Sequence, residues 1–245
     1  MGRSPLIFDT KGAGMADSIG GVEFAILDVD EQRLVPIRGV EEVQALNQGL
    51  ALDELTLNHA HEFWLAHLWN RLTGHDPEVE LLIVSTAFDM SGDAPFVWPA
   101  KGADEDLAMI RVRQGATHHW TIGNGSPVFP PKELVRGLMV SMLVSESCKE
   151  VRSVAETIAT INDALSKGKA AAAIAALATA AGGPGAALGV AALGEITGVV
   201  AGILKADKDV VIGAYAGILS ATIPWTDDQL EQDDNGASIK LSVVH

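Results

Sequence analysis

Apolar and polar positions change rhythm several times along this chain. Val22 to Asp30 is a short apolar run that ends in acids and predicts a strand entering a turn. From Val40 the spacing lengthens to three and four: Val40, Val43 and Leu46, then Leu57, His61, Trp64, Leu68 and Leu72. That rhythm predicts helices over 40–48 and 53–72, the second stopped by Gly74 and Pro77. Strand-like runs follow at Glu80–Phe88, Leu107–Arg113, His118–Ile122 and Leu138–Val144, bounded by Gly, Pro or Asp. Ser147 with Glu150 has the spacing of a capping box, and Val151, Val154, Ile158, Ile161 and Leu165 form one apolar helical stripe after it. Val210–Leu219 and Ala237–Val244 read as two more strands, joined by an acidic loop holding Asp227, Asp228, Glu231, Asp233 and Asp234.

Between the striped helix and those last strands lies the most distinctive segment. From Ala170 to Leu204 the only formal charge is Glu195, and 14 of 35 residues are Ala and seven are Gly. Gly182-Gly183-Pro184-Gly185 cannot continue a helix, because Gly costs about 1 kcal/mol and Pro about 3 kcal/mol relative to Ala inside one. The segment therefore splits into an arm over 170–181, about 18 Å long, and an arm over 186–204, near the length of a bilayer core of about 30 Å. Gly185, Gly189, Gly194, Gly198 and Gly202 are read as a small-residue face that permits close helix approach. Glu195 near the middle of the second arm argues against a permanent anchor and less against a pore, where it would face water.

These elements predict an α+β fold: an antiparallel β-sandwich-like core with N-terminal helices and an inserted Ala/Gly-rich helical hairpin. The expected divisions are a loose arm over 1–20, a β-rich unit over 21–147 and 207–245, and the inserted helical segment over 148–206.

Charge narrows the partners. A net charge of −15 without a Lys/Arg cluster excludes nucleic acid as the expected ligand and repels an anionic membrane unless calcium or apolar burial intervenes. A single cysteine, Cys148, excludes an internal disulfide, and the first nine residues do not read as a secretory signal, so synthesis as a soluble cytoplasmic protein is the expectation, with membrane association or non-classical export open.

Candidate chemistry is sparse. His61 and His67 are six apart, the wrong spacing for two zinc ligands on one helix face, and His118 and His119 should diverge on a strand. A metal site from His59, Glu62 and a distant histidine is the remaining metal reading, and a hydrolase with a dispersed His and Asp site is the remaining enzyme reading. Loop acids suggest calcium at Asp28, Asp30, Asp207 and Asp209 as the one candidate cofactor. The stretch Lys205–Gly213 resembles the acidic loop that leads into Ile-Gly in calcium-dependent phospholipid-binding β-sandwiches of the protein-kinase-C type. The glycine-spaced hairpin resembles those of bacterial membrane-acting toxins and effectors. Trp98 and Trp225, each beside Pro and near acids, are core anchors or interface residues.

The expected function is non-enzymatic: a membrane-interacting or pore-forming effector, soluble at rest with the hairpin sheltered, that engages lipid or a protein partner and forms a homo-oligomer. Its rival is a scaffold whose hairpin packs a core or a subunit interface.

Overall fold

The structure is a computed structural model, and it describes residues 47–59, 72, 78–89, 91–101, 109–120, 126–134, 137–147, 153–179, 185–207, 209–221, 223–234 and 236–244. The expected arm over 1–20, the strand at 22–30 and most of the two N-terminal helices lie outside these residues.

Among the described residues, two antiparallel five-stranded sheets and a helical layer make three layers. The first sheet orders β5 (Thr117–His119), β1 (Asn47–Leu57), β10 (Ala237–Val244) and β9 (Glu231–Asp233), with β6 (Ser126–Glu133) also paired to β1. The second orders β3 (Phe96–Trp98), β2 (Glu78–Asp89), β7 (Gly137–Glu146) and β8 (Val210–Ser220), with β4 (Met109–Arg113) also on β2. Helices α1 (Val154–Leu165), α2 (Gly168–Thr179) and α3 (Gly185–Ala206) join β7 to β8, which are hydrogen-bonded neighbours. The helical hairpin is thus an excursion between adjacent strands. A one-turn helix, α4 (Asp227–Leu230), follows β8.

Strand patterning follows from this layering. Along β2, Leu81, Ile83 and Ala87 enter the core between the sheets, while Leu82, Val84 and Phe88 enter a second core beneath the helices. On β7, Val140, Met142 and Val144 face the first core and Met139 and Leu143 the second. Strands covered on both faces read as near-continuous apolar runs, here broken by the small buried polar residues Ser85, Thr86, Ser141 and Ser145. Strand β10 is covered on one face, so buried Ile239 and Leu241 alternate with half-exposed Ser238, Lys240 and Ser242.

Helix α1 carries the stripe expected of it, with Val154, Ile158, Ile161 and Leu165 buried. Its capping box lies six residues after Ser147 and Glu150: Ser153 and Glu156 bond each other's backbone N–H. Both pairs satisfy the same spacing rule. Ser147 instead donates its backbone N–H to the Glu80 carbonyl at 3.0 Å, extending the β2–β7 pairing.

The N-terminal helices need correction where they can be seen. Residues 47–48 and 53–57 belong to β1, not to helices. Leu55 and Leu57 are buried while Glu54 and Thr56 are half-exposed, a period of two, but the register to β10 shifts between Leu52 and Glu54. That bulge at Asp53 separates Leu52 from Leu55 by three and mimics helical spacing. Trp98 and Trp225 are both buried in the core between the sheets, so neither serves as an exposed interface residue.

Among the described residues, one charged group is buried between the sheets. Asp89, 2% exposed at the end of β2, accepts hydrogen bonds from the Ser91 hydroxyl and backbone N–H and pairs with Lys132 of β6 at 2.8 Å. Burial alone would raise the Asp89 pKa, but Lys132 and Ser91 outweigh it and hold the carboxyl below its ordinary 3.8. Asp89 and Asp93 hold Lys132 above 10.5 despite its own partial burial. A carboxyl lowered on folding stabilises the native state above its unfolded pKa, and that contribution fades as pH falls through the folded value. A lysine raised on folding stabilises below its unfolded pKa, and its contribution is lost as pH rises through the folded value. Lys132→Met should therefore cost about 1–3 kcal/mol at neutral pH by leaving a buried carboxylate without its cation. In urea titrations the gap between wild type and variant should narrow below pH 3.8. An equal gap at pH 3 and pH 7 would show that the pair contributes no charge-dependent stability.

Candidate docking face of the helical layer

Helix α3 has 22 residues, about 33 Å at 1.5 Å each. Ala192, Leu193, Ile196, Val200 and Leu204 are buried against sheet and helices. Thr197 fixes the rotation: its hydroxyl donates to the Leu193 carbonyl at 2.8 Å and accepts from the Ser141 hydroxyl of β7 at 2.7 Å within this apolar layer. At the far end Thr157 of α1 donates to Asp207 at 2.9 Å, and the Asp207 and Asp209 backbone N–H groups bond the last turn's carbonyls.

With that side committed to the core, Gly194, Gly198 and Gly202 point outward, and a Cβ added at any of them would meet no atom within 4 Å. Ala191, Gly198, Gly202 and Lys205 are exposed, with half-exposed Glu195 at the side of the ridge. On α2, buried Ala170, Ile174 and Leu177 alternate with exposed Ala172, Ala175 and Ala176. The outer face of both helices is therefore Ala and Gly, while their bulky residues point in.

The five-glycine face is only partly present. Gly189 is buried, and at about 100° per residue it lies opposite Gly198; the five-residue step from Gly189 to Gly194 changes face. Gly185 is the first residue of α3. The hairpin does pack against α1 and the sheet, but through its bulky residues, while Gly194, Gly198 and Gly202 lie on the open side.

The calcium quartet is not assembled among the described residues. Asp28 and Asp30 lie outside them, and Asp207 and Asp209 are 3% and 7% exposed. Lys205 and Ala206 end α3, and Asp207 is an internal acceptor, so Lys205–Gly213 is a helix terminus running into β8 instead of an open acidic loop. No three His, Cys, Asp or Glu residues gather in a metal-binding group among the described residues.

The dispersed enzyme reading also finds no constellation there. His59 follows β1 with its backbone N–H on the Gly236 carbonyl, and His61 and Glu62 are outside the described residues. His118 and His119 diverge: His118 meets Trp120 edge-on at 4.5 Å and His119 approaches Glu54 at 3.5 Å. Burial and the neighbouring His119 lower the His118 pKa.

The chain matches no protein-family model, no curated protein and no solved structure.

Proposed function

We propose that the protein acts without catalysis of its own, as an assembly module that docks through the outer face of α3 onto a second copy of itself. The supporting observation is the open ridge of Gly194, Gly198 and Gly202 on a helix whose bulky side is already used. Small residues let two helix backbones approach closely. Centred between Gly198 and Gly202, an antiparallel pair of α3 helices sets Glu195 level with Lys205 of the second copy, so the ridge complements itself in charge as well as shape.

Mixing two chains tests this register. In a Cys148→Ser background, Gly198→Cys mixed with Gly202→Cys should oxidise to a covalent dimer faster than either alone. Equal rates for mixed and separate chains would discard the antiparallel register.

Membrane engagement is the second reading, because Leu188–Ala206 is long and apolar enough to cross a membrane and only 33% of it is buried. Lipid insertion would have to expose Leu193, Ile196, Val200 and Leu204 from the second core. Flotation of the wild type with neutral phosphatidylcholine vesicles, without added denaturant, is the outcome that would favour it.

A further inference from the structure

Strand β8 stands at the end of the second sheet's hydrogen-bonding order, eleven residues long, and Val210–Ser220 contains no charge and no proline. Long uncharged edges are templates for pairing with another chain, and proteins ordinarily blunt them with Lys, Pro, bulges or a cover. Here the cover comes from the chain that follows. The Leu219 carbonyl points at Gly137 of β7, so the groups of Ala216 and Ser220 on the alternate positions point away from the sheet, and Ile212 sits unpaired where the β7–β8 register shifts. Each meets a different cap. Gly236 lies so close to the Ile212 carbonyl that a Cβ there would stand 1.8 Å from the oxygen. Ala216 donates its backbone N–H to the Gln232 side-chain oxygen at 3.1 Å. The Trp225 indole N–H donates to the Ser220 carbonyl at 2.7 Å. Tyr215, whose phenol burial pushes well above its ordinary pKa, anchors the cover by donating to the Gln229 carbonyl at 2.6 Å.

We infer that Trp225–Asp233 with Gly236 is a strap closing the free edge of β8, and that the edge beneath it accepts β8 of a second copy in antiparallel pairing when the strap is loosened. The caps use an indole, a side-chain amide and a glycine backbone, none of them laddered to β8, so they can loosen without breaking the β7–β8 pairing even though Gln232 sits on β9, which is paired to β10. The second copy is the fitting occupant because antiparallel β8 against β8 opposes no like charges and pairs apolar residues with apolar residues along its length.

Gln232→Met keeps the side chain's size and removes the acceptor, and Trp225→Phe keeps the ring and removes the donor. The double variant should retain the wild-type far-ultraviolet spectrum, exchange the Ala216 amide about fivefold faster, and gain a concentration-dependent doubling of molar mass relative to wild type. Adding Val211→Lys, at a position 38% exposed, should reverse the doubling. Faster exchange at Ala216 with no change in mass up to millimolar protein would overturn the inference, as would doubling that Val211→Lys leaves intact. Should the double variant unfold, Gln232→Met alone gives the same two readouts. Neither result depends on the α3 ridge, which Gly198→Leu removes separately.

Discussion

Gly198→Leu is expected to leave a folded protein that no longer self-associates. The added side chain enters open space on the monomer, and leucine is the better helix former, so the isolated chain should gain up to about 1 kcal/mol. In the assembly two leucines, one from each copy, are forced between closely packed backbones. At 1 kcal/mol or more of overpacking per copy, the association constant should fall about thirtyfold or more. The opposite signs are what make the substitution informative: a glycine needed for packing inside the fold would lower stability and association together.

Ile196→Ala should act on the other side of the same helix. Ile196 is fully buried, and removing its side chain should cost about 2–5 kcal/mol, depending on how far the layer collapses into the space. Loss should be local at first. The second core shares no side chains with β1 or β10, so hydrogen exchange in α3 should accelerate before exchange in the first sheet. Uniform acceleration throughout would mean that the helical layer and the sandwich unfold as one unit, and the layering would not define separate stability.

What the sequence disclosed follows from how many faces of each element are covered. The apolar runs at Leu81–Val84 and Leu138–Val144, the second broken only by Ser141, and the striped α1 were readable because burial dictates them. Strand β1 was misread because the three-and-four spacing that starts at Leu57 was carried back to residue 53, across the end of a strand whose own alternation the bulge at Asp53 interrupts. Strand β6 was missed because Pro127, Pro130 and Pro131 look like a turn, although exposed Pro130 and Pro131 are tolerated on an edge strand. The strap was read as solvated acids. Its signal was slight: Gln232, the one uncharged residue of β9, is also the one that turns in to meet β8.

Legibility of the ridge was divided in the same way. Glycine spacing of four located Gly194, Gly198 and Gly202 together, but spacing alone does not say which side of a helix faces the core. The positions of Leu193, Ile196, Val200 and Leu204 settle that, and they turn the glycines outward.

The most direct measurement is the molar mass of wild type and Gly198→Leu by size exclusion with light scattering, across a dilution series. Self-docking through α3 predicts a wild-type mass of twice 25.6 kDa that falls on dilution, and a variant that stays at 25.6 kDa with equal or higher thermal stability. A wild type that remains at 25.6 kDa at every concentration, or a Gly198→Leu protein that dimerises as well as wild type, would contradict it.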